Sequence, residues 1–180
     1  MKVIGIIGQK AAGKTTIADY IAKKIGAKVH RYAEILDDVL NVLNLPITNI
    51  NEIKLVGLRD VFGENTLPRA LRKKITEENS PTVIITSIRF QNELDDVRAY
   101  AGSKVIYVES DIQVRFKRMQ GRNQKADDTS ISFEQFVSLE ADPTEKYIKK
   151  LGDEADFKVI NNGSEQELFT QVDAILQQLI

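Results

Sequence analysis

Cysteine is absent from this chain, and histidine occurs once, at His30. A chain without cysteine forms no disulfide and offers no thiolate metal ligand, and a single imidazole cannot build a histidine cluster, so no structural metal is expected. The formal net charge is -1, with acidic and basic residues nearly balanced, which disfavours a general nucleic-acid or membrane surface. We therefore expect a small-molecule ligand and neither a nucleic-acid nor a membrane partner.

Long apolar runs are also lacking. The N-terminal run at 2–7 is too short for a membrane span or a signal peptide, so we expect a soluble, cytoplasmic protein. At 180 residues, of which 42% are hydrophobic, the chain is expected to form a single domain over 1–180. We expect a monomer or a homodimer.

The most specific pattern in the chain is the segment 8–15, which reads Gly-Gln-Lys-Ala-Ala-Gly-Lys-Thr and fits G-x-x-x-x-G-K-[ST]. It follows an apolar run typical of a buried strand and precedes a helical pattern. Such a loop turns successive N–H groups toward one anion at the N-terminus of the next helix. We therefore predict ATP and Mg²⁺ as cofactors, with Lys14 reaching the β- and γ-phosphates and Thr15 binding the metal. The residues predicted to bind the nucleotide here are Gly8, Gln9, Lys10, Ala11, Ala12, Gly13, Lys14, Thr15 and Thr16.

Short apolar segments alternate with helical patterns along the rest of the chain. Strands are predicted at 2–7, 27–31, 82–86, 104–108 and 157–160. Helices are predicted within 13–25, 33–43, 49–78, 91–100, 112–122, 132–151 and 165–179, with Pro46 ending the second and Pro143 dividing the region 132–151. This alternation predicts a three-layer α/β/α P-loop NTPase fold with a five-stranded parallel sheet.

The insert between the second and third strands, at about 33–80, is predicted to bind the phosphoryl acceptor, because ligands lie beyond the carboxyl ends of parallel strands. Arg59 and Arg72 fall in this insert, and a guanidinium fork can bind two phosphate oxygens in one plane. The alternative for both is a solvated helix face.

Arg89 lies in the segment 87–93, which directly follows the third predicted strand, so we expect it to face the crevice and meet a phosphate. Glu93, one helical turn later, either pairs with Arg89 or stabilises the N-terminus of its helix.

A helical lid is predicted at about 115–130. Arg115, Arg118 and Arg122 are spaced three and four residues apart and share one helix face, so they can neutralise charge on a transferring phosphoryl group. A salt-bridged exposed face is the alternative. The predicted catalytic residues are Lys14, Arg89, Arg118 and Arg122, and Arg118 is also predicted to contact the nucleotide.

These residues resemble a known family. The loop 8–15 and the sequence Arg89-Phe90-Gln91-Asn92-Glu93, which matches an Arg-Phe-x-Asn-Glu motif, are similar to P-loop kinases of the nucleoside monophosphate kinase group, above all its deoxynucleoside branch. The ending 155–163 resembles the last strand and turn of dephospho-CoA kinases and related small kinases, where that turn lies near the adenine of ATP. The family it resembles is related to dephospho-CoA kinase and to adenylate kinase-like proteins. The resemblance implies that Tyr32, after the second strand, binds the acceptor and that Asn162 lies near the adenine.

One position departs from that family. Many relatives carry an aspartate at the end of the third strand that helps to hold Mg²⁺, where this chain has Thr86 and Ser87. Either Ser87 and water complete the metal shell, or a carboxylate beyond the fourth strand, Glu109 or Asp111, substitutes.

The primary hypothesis is ATP-dependent phosphoryl transfer to a nucleoside or deoxynucleoside monophosphate, with small-molecule nucleotides as substrates. Two alternatives stay open. One is a dephospho-CoA kinase-like or other small-molecule kinase, whose hydroxyl acceptor would need a base. The other is a nucleotide-binding switch without kinase activity.

Overall fold

A computed structural model describes residues 1–121, 132–142 and 145–179. The strands are β1 Lys2–Gly8, β2 Lys28–Arg31, β3 Thr82–Thr86, β4 Lys104–Glu109 and β5 Phe157–Ile160. They form one parallel sheet of five strands in the order β2-β3-β1-β4-β5. The central strands are buried on both faces, which explains why their sequences are continuously apolar rather than alternating.

Helices cover both faces of this sheet. They are α1 Lys14–Ile25, α2 Tyr32–Val42, α3 Asn49–Val56, α4 Leu58–Phe62, α5 Thr66–Glu78, α6 Gln91–Arg98, α7 Ile112–Gly121, α8 Phe133–Ser138, α9 Ile148–Asp153 and α10 Glu165–Leu179, with a 3-10 turn at Leu139–Ala141. Ile17 of α1 and Val172 of α10 pack on one face, and Leu71 of α5 and Val97 of α6 pack on the other. The predicted three-layer α/β/α fold is confirmed.

The connections differ in detail from the sequence expectations. The insert 49–78 contains three helices, because the chain turns at Gly57 and again at Gly63, whose φ of 93° ends α4. Helix α2 ends at Val42, one residue before the predicted bound, and Asn44 then adopts a left-handed φ of 55°. Pro46 follows this turn, just beyond the end of the helix. Pro143 lies outside the described residues.

The parallel register brings the functional segments to one edge of the sheet. Arg31 at the end of β2 pairs with Thr86 at the end of β3, and Gly8 at the end of β1 pairs with Val108 of β4. The glycine-rich loop, the start of α2 and the segment after β3 therefore meet at the carboxyl edge. Of the described helices, none is long and apolar enough to span a lipid bilayer.

Candidate nucleotide and acceptor site

The loop between β1 and α1 depends on its two glycines. A Cβ at Gly8 would lie 2.7 Å from the carbonyl oxygen of Val108, closer than van der Waals contact permits. Gly13 has a left-handed φ of 103°, and a Cβ there would overlap the side-chain amide of Asn161. Since α1 begins at Lys14, its first amides face this loop, which is the arrangement that binds anions.

Lys14 lies folded over the loop. Its Nζ donates to the carbonyl oxygens of Gly8 at 2.7 Å and Gln9 at 2.9 Å. The neighbouring Thr15 is exposed and lines a cavity beside the loop. These groups suit a triphosphate and a Mg²⁺ ion held by one hydroxyl and by phosphate oxygens. Across the described ranges, no cluster of three or more histidine, aspartate or glutamate side chains could hold a metal by itself.

The cavity has a volume of about 150 Å³ and separates the loop from the helical insert. Lys10, Ala11, Lys14 and Thr15 form its loop side. Its apolar and aromatic wall comprises Ala33, Leu36, Ile53, Val56, Leu67 and Phe90. Charged side chains also line it, namely Arg31, Glu52, Arg89, Glu93 and Glu145. An apolar wall facing converging charged groups suits a small molecule that has an apolar part and an anionic part.

The structure brings together some of the predicted acceptor residues but not all. Tyr32, Arg89 and Glu93 line the cavity, whereas Arg59 and Arg72 do not. Arg72 pairs with Asp96 and its side chain is 51% exposed, so the geometry does not support direct contact between Arg72 and an acceptor.

Arg59 lies one layer behind the cavity. Its Nη1 donates to Glu93 Oε1 at 3.1 Å, its Nη2 donates to Asn92 at 2.7 Å, and the guanidinium lies 3.8 Å above the ring of Phe90. Both members of the ion pair are buried, with 9% and 2% of their side chains exposed. Arg59 therefore supports the wall of the cavity from behind.

Glu93 does not pair with the guanidinium of Arg89, which was one of the two expectations. Its Oε2 instead accepts the backbone N–H of Arg89 at 2.7 Å and that of Phe90 at 3.3 Å, at the start of α6. Burial raises the pKa of Glu93 to about 7, against the opposing effect of these hydrogen bonds and of Arg59. These contacts favour the other expectation, in which Glu93 stabilises the N-terminus of its own helix.

Tyr32 is buried, and its hydroxyl donates within the protein, with Glu93 O at 3.1 Å and Asp96 Oδ2 at 3.0 Å. Burial together with these acidic neighbours raises the pKa of Tyr32. Tyr32 therefore shapes the cavity with its ring, while its hydroxyl is engaged in the protein.

Glu145 is a cavity residue that the sequence analysis missed. Its carboxylate pairs with Arg89 Nη1 and accepts the backbone N–H of Lys10 at 3.0 Å. These partners are 56 and 135 residues away along the chain. No local pattern signals such contacts, because they join segments that are far apart in the sequence.

Two arginines of α7 lie near the loop. Arg115 is buried and pairs with Glu140 at 2.9 Å. Arg118 donates to the backbone oxygen of Asn161 at 2.9 Å and to its side-chain oxygen at 3.0 Å, and burial lowers the pKa of Arg118. Asn161 in turn donates to Ala12 O at 2.8 Å. Arg118 is thus linked to the loop through Asn161.

Two further predictions concern neighbouring segments. Asn162, predicted near the adenine, is exposed and accepts the Asp111 N–H at 2.8 Å, so the residue that contacts the loop is Asn161 rather than Asn162. Arg122 and the part of the predicted lid at 122–130 lie outside the described residues. Their roles stay predictions.

The carboxylates suggested as substitutes for the absent strand-end aspartate do not reach the cavity. Glu109 pairs with Lys158 at 2.6 Å, and neither Glu109 nor Asp111 lines the cavity. Thr86 and Ser87 do line it, and Ser87 has a left-handed φ of 61°. Of the two expectations, the geometry favours Ser87.

Comparison with known proteins agrees with this architecture. The sequence pattern of the AAA domain family matches residues 4–137, which is well over half of the chain. A UPF0200 protein of Methanocaldococcus jannaschii is 28% identical over 191 residues, covering 100% of this chain and 91% of that protein. Another UPF0200 protein, from Methanococcus maripaludis, is 25% identical over 184 residues, covering 100% and 98%.

Solved structures show the same fold at low sequence identity. A shikimate kinase from Bacteroides thetaiotaomicron superposes with a TM-score of 0.67 at 16% identity, covering 98% of this chain and 97% of that one. A gluconokinase from Sinorhizobium meliloti gives a TM-score of 0.61 at 14% identity, covering 99% and 93%. The fold is that of P-loop kinases.

Proposed function

Because the chain belongs to the AAA domain family and has a kinase-like P-loop fold, we propose that it is a small-molecule kinase that uses Mg-ATP to phosphorylate a nucleoside or deoxynucleoside monophosphate. The observation that carries this proposal is a single cavity shared by Lys14 and Thr15 on one side and Arg89 on the other. A donor phosphate on the loop and an acceptor phosphate at Arg89 would then meet across one space.

The walls of the cavity support a nucleotide acceptor. Phe90, Leu36 and Ile53 offer an apolar and aromatic surface on which a base can pack, while Arg89 supplies a guanidinium for the phosphate. Such a division into an apolar part and a charged part matches a monophosphate, which has an aromatic base at one end and an anion at the other.

The chemistry needs charge and position more than a proton acceptor. An acceptor phosphate is already anionic, so Lys14 would balance negative charge on the donor and Arg89 would orient the attacking oxygen. Arg118, through Asn161, would hold the loop in shape behind the donor. Mg²⁺ bound by the Thr15 hydroxyl would supply further charge neutralisation at the phosphates.

A hydroxyl acceptor is the second candidate, and Glu145 is the observation that favours it. A buried carboxylate on the cavity wall could accept a proton from a substrate hydroxyl. Asp37 on α2 is buried too, but it pairs with Arg31 and does not line the cavity.

The experiment is an assay of ADP release with ATP, Mg²⁺ and a panel of acceptors. One arm contains ribo- and deoxyribonucleoside monophosphates, and the other contains hydroxyl acceptors such as shikimate and gluconate, after the structural neighbours. We expect stimulation by at least one monophosphate and none in the K14A variant. Stimulation confined to the hydroxyl arm would support the second candidate, and no stimulation in either arm would contradict both.

A further inference from the structure

Glu145 is a carboxylate that the proposed reaction does not require as a base. It lies three residues before the start of α9, and its side chain is 1% exposed and lies at the cavity. Burying a carboxylate is costly unless a cation and hydrogen-bond donors compensate it. The partners that compensate Glu145 therefore indicate what its burial achieves.

The two oxygens of Glu145 contact opposite sides of the cavity. Oε2 accepts the backbone N–H of Lys10, which belongs to the phosphate loop, at 3.0 Å. Oε1 accepts from Nη1 of Arg89, the arginine that we assign to the acceptor. One carboxylate thus joins the donor loop to the acceptor arginine.

Arg89 is fixed at two separate points. Its backbone N–H is held by Glu93, which is itself held by Arg59. In the part of the chain that the structure describes, the tip of its side chain hydrogen-bonds to Glu145 alone. A guanidinium has five N–H donors in a rigid fork, so a bond from Nη1 orients the fork and leaves other donors for phosphate oxygens.

We propose that Glu145 is a positioning residue that orients Arg89 toward the acceptor phosphate and fixes the distance between Arg89 and the phosphate loop. This inference rests on the proposed function, since it assumes that Arg89 meets an acceptor phosphate. Glu145 acts through Arg89 and takes no proton from the substrate. An error of about 1 Å in the position of a reacting group costs on the order of 10²-fold in rate.

The test is E145Q, which keeps the size of the side chain but removes its charge and one of its two acceptor oxygens. We expect kcat with the monophosphate to fall by about 10- to 100-fold. The dissociation constant for ATP should stay unchanged, because the remaining carbonyl oxygen can accept the Lys10 N–H. E77Q is the matched control, since Glu77 is exposed on α5 and pairs weakly with Lys73 at 3.9 Å; it should behave as wild type.

A double-mutant cycle identifies the route of the effect. If Glu145 acts through Arg89, then adding E145Q to R89K lowers kcat by less than E145Q lowers it in the wild type. The shape of the pH-rate profile should also be the same in wild type and E145Q. Independent, multiplicative losses together with the disappearance of the acidic limb would contradict the proposal and make Glu145 a proton acceptor.

The activities of wild type and E145Q distinguish a failure of the proposed function from a failure of the role assigned to Glu145. An inactive wild type contradicts the proposed function and this inference with it. An active wild type with an equally active E145Q contradicts the inference alone, as does loss of ATP binding by folded E145Q. If E145Q unfolds below the assay temperature, E145D is measured instead. The same fall in kcat is expected, because the shorter side chain cannot reach both donors. A wild-type kcat in E145D would then refute the inference.

Discussion

The buried ion pair behind the cavity gives a prediction that tests how the site is built. Replacing Arg59 with methionine removes the cation 3.1 Å from Glu93 but keeps an unbranched apolar stem, shorter than that of arginine. The change also removes the hydrogen bond to Asn92 and the stacking on Phe90. Removing one member of a buried pair costs about 3 to 5 kcal/mol, because the other charge is left without compensation.

The size of this loss should depend on pH, and the pKa of Glu93 gives the direction. Burial raises that pKa from 4.5 to about 7, so folded protein binds the proton more tightly than the unfolded chain does. The free energy of unfolding therefore decreases as the pH rises between these values, by about 3 kcal/mol. Arg59 lowers this pKa, so R59M raises it further and extends the decrease to higher pH.

The assay is urea denaturation of wild type and R59M at about pH 5 and about pH 8. Near pH 5 Glu93 is protonated in both proteins, so R59M should lose the contacts with Asn92 and Phe90 and a hydrogen bond to an uncharged Glu93, but no charge pair. Near pH 8 R59M should lose more of its free energy of unfolding, because the buried Glu93 carboxylate then has no cation beside it. Repeating the comparison in an E93Q background should remove the pH dependence. An equal loss at both pH values in the wild-type background would refute the reasoning.

Three further predictions concern the loop and the insert. G13A should weaken ATP binding by more than about tenfold, because the new Cβ overlaps Asn161. G26A is the control: Gly26 also has a positive φ, 66°, but no atom lies within 4 Å of a Cβ there, so this change should affect stability alone. Titration calorimetry of ATP binding by both variants checks this. N161A should raise the dissociation constant for ATP and N162A should not, since Asn161 holds Ala12, and similar constants in the two variants would contradict that assignment. R72Q should leave the KM for the acceptor unchanged in steady-state kinetics, and a large rise in this KM would indicate that Arg72 contacts the acceptor.

The parts of the fold with strong local signals could be predicted from sequence. Strands β3 and β5 have the bounds that the apolar, β-branched segments indicate, and α10 likewise matches its amphipathic pattern. The end of α2 was predicted to within one residue, but the left-handed turn at Asn44 was not, because asparagine adopts that conformation less regularly than glycine does. Pro46 is the more visible signal, but it lies beyond the turn.

The site was predictable where it depends on a loop motif and not where it depends on distant contacts. The phosphate loop and the position of Arg89 after β3 follow from spacing and from the geometry of parallel sheets. Glu145 could not be found in this way, because its partners lie in other segments. For Arg72 the sequence left acceptor contact and a solvated helix face open, since charge alone does not reveal which face of a helix contacts Asp96.

The most direct test of the central claim is to follow the γ-phosphoryl group itself. ATP labelled in the γ-phosphate is incubated with Mg²⁺ and the acceptor that stimulates ADP release, and the products are separated by chromatography. The account predicts label in the nucleoside diphosphate formed from the acceptor, and no labelled product with K14A. Label released as inorganic phosphate alone, or transfer that K14A leaves intact, would contradict it.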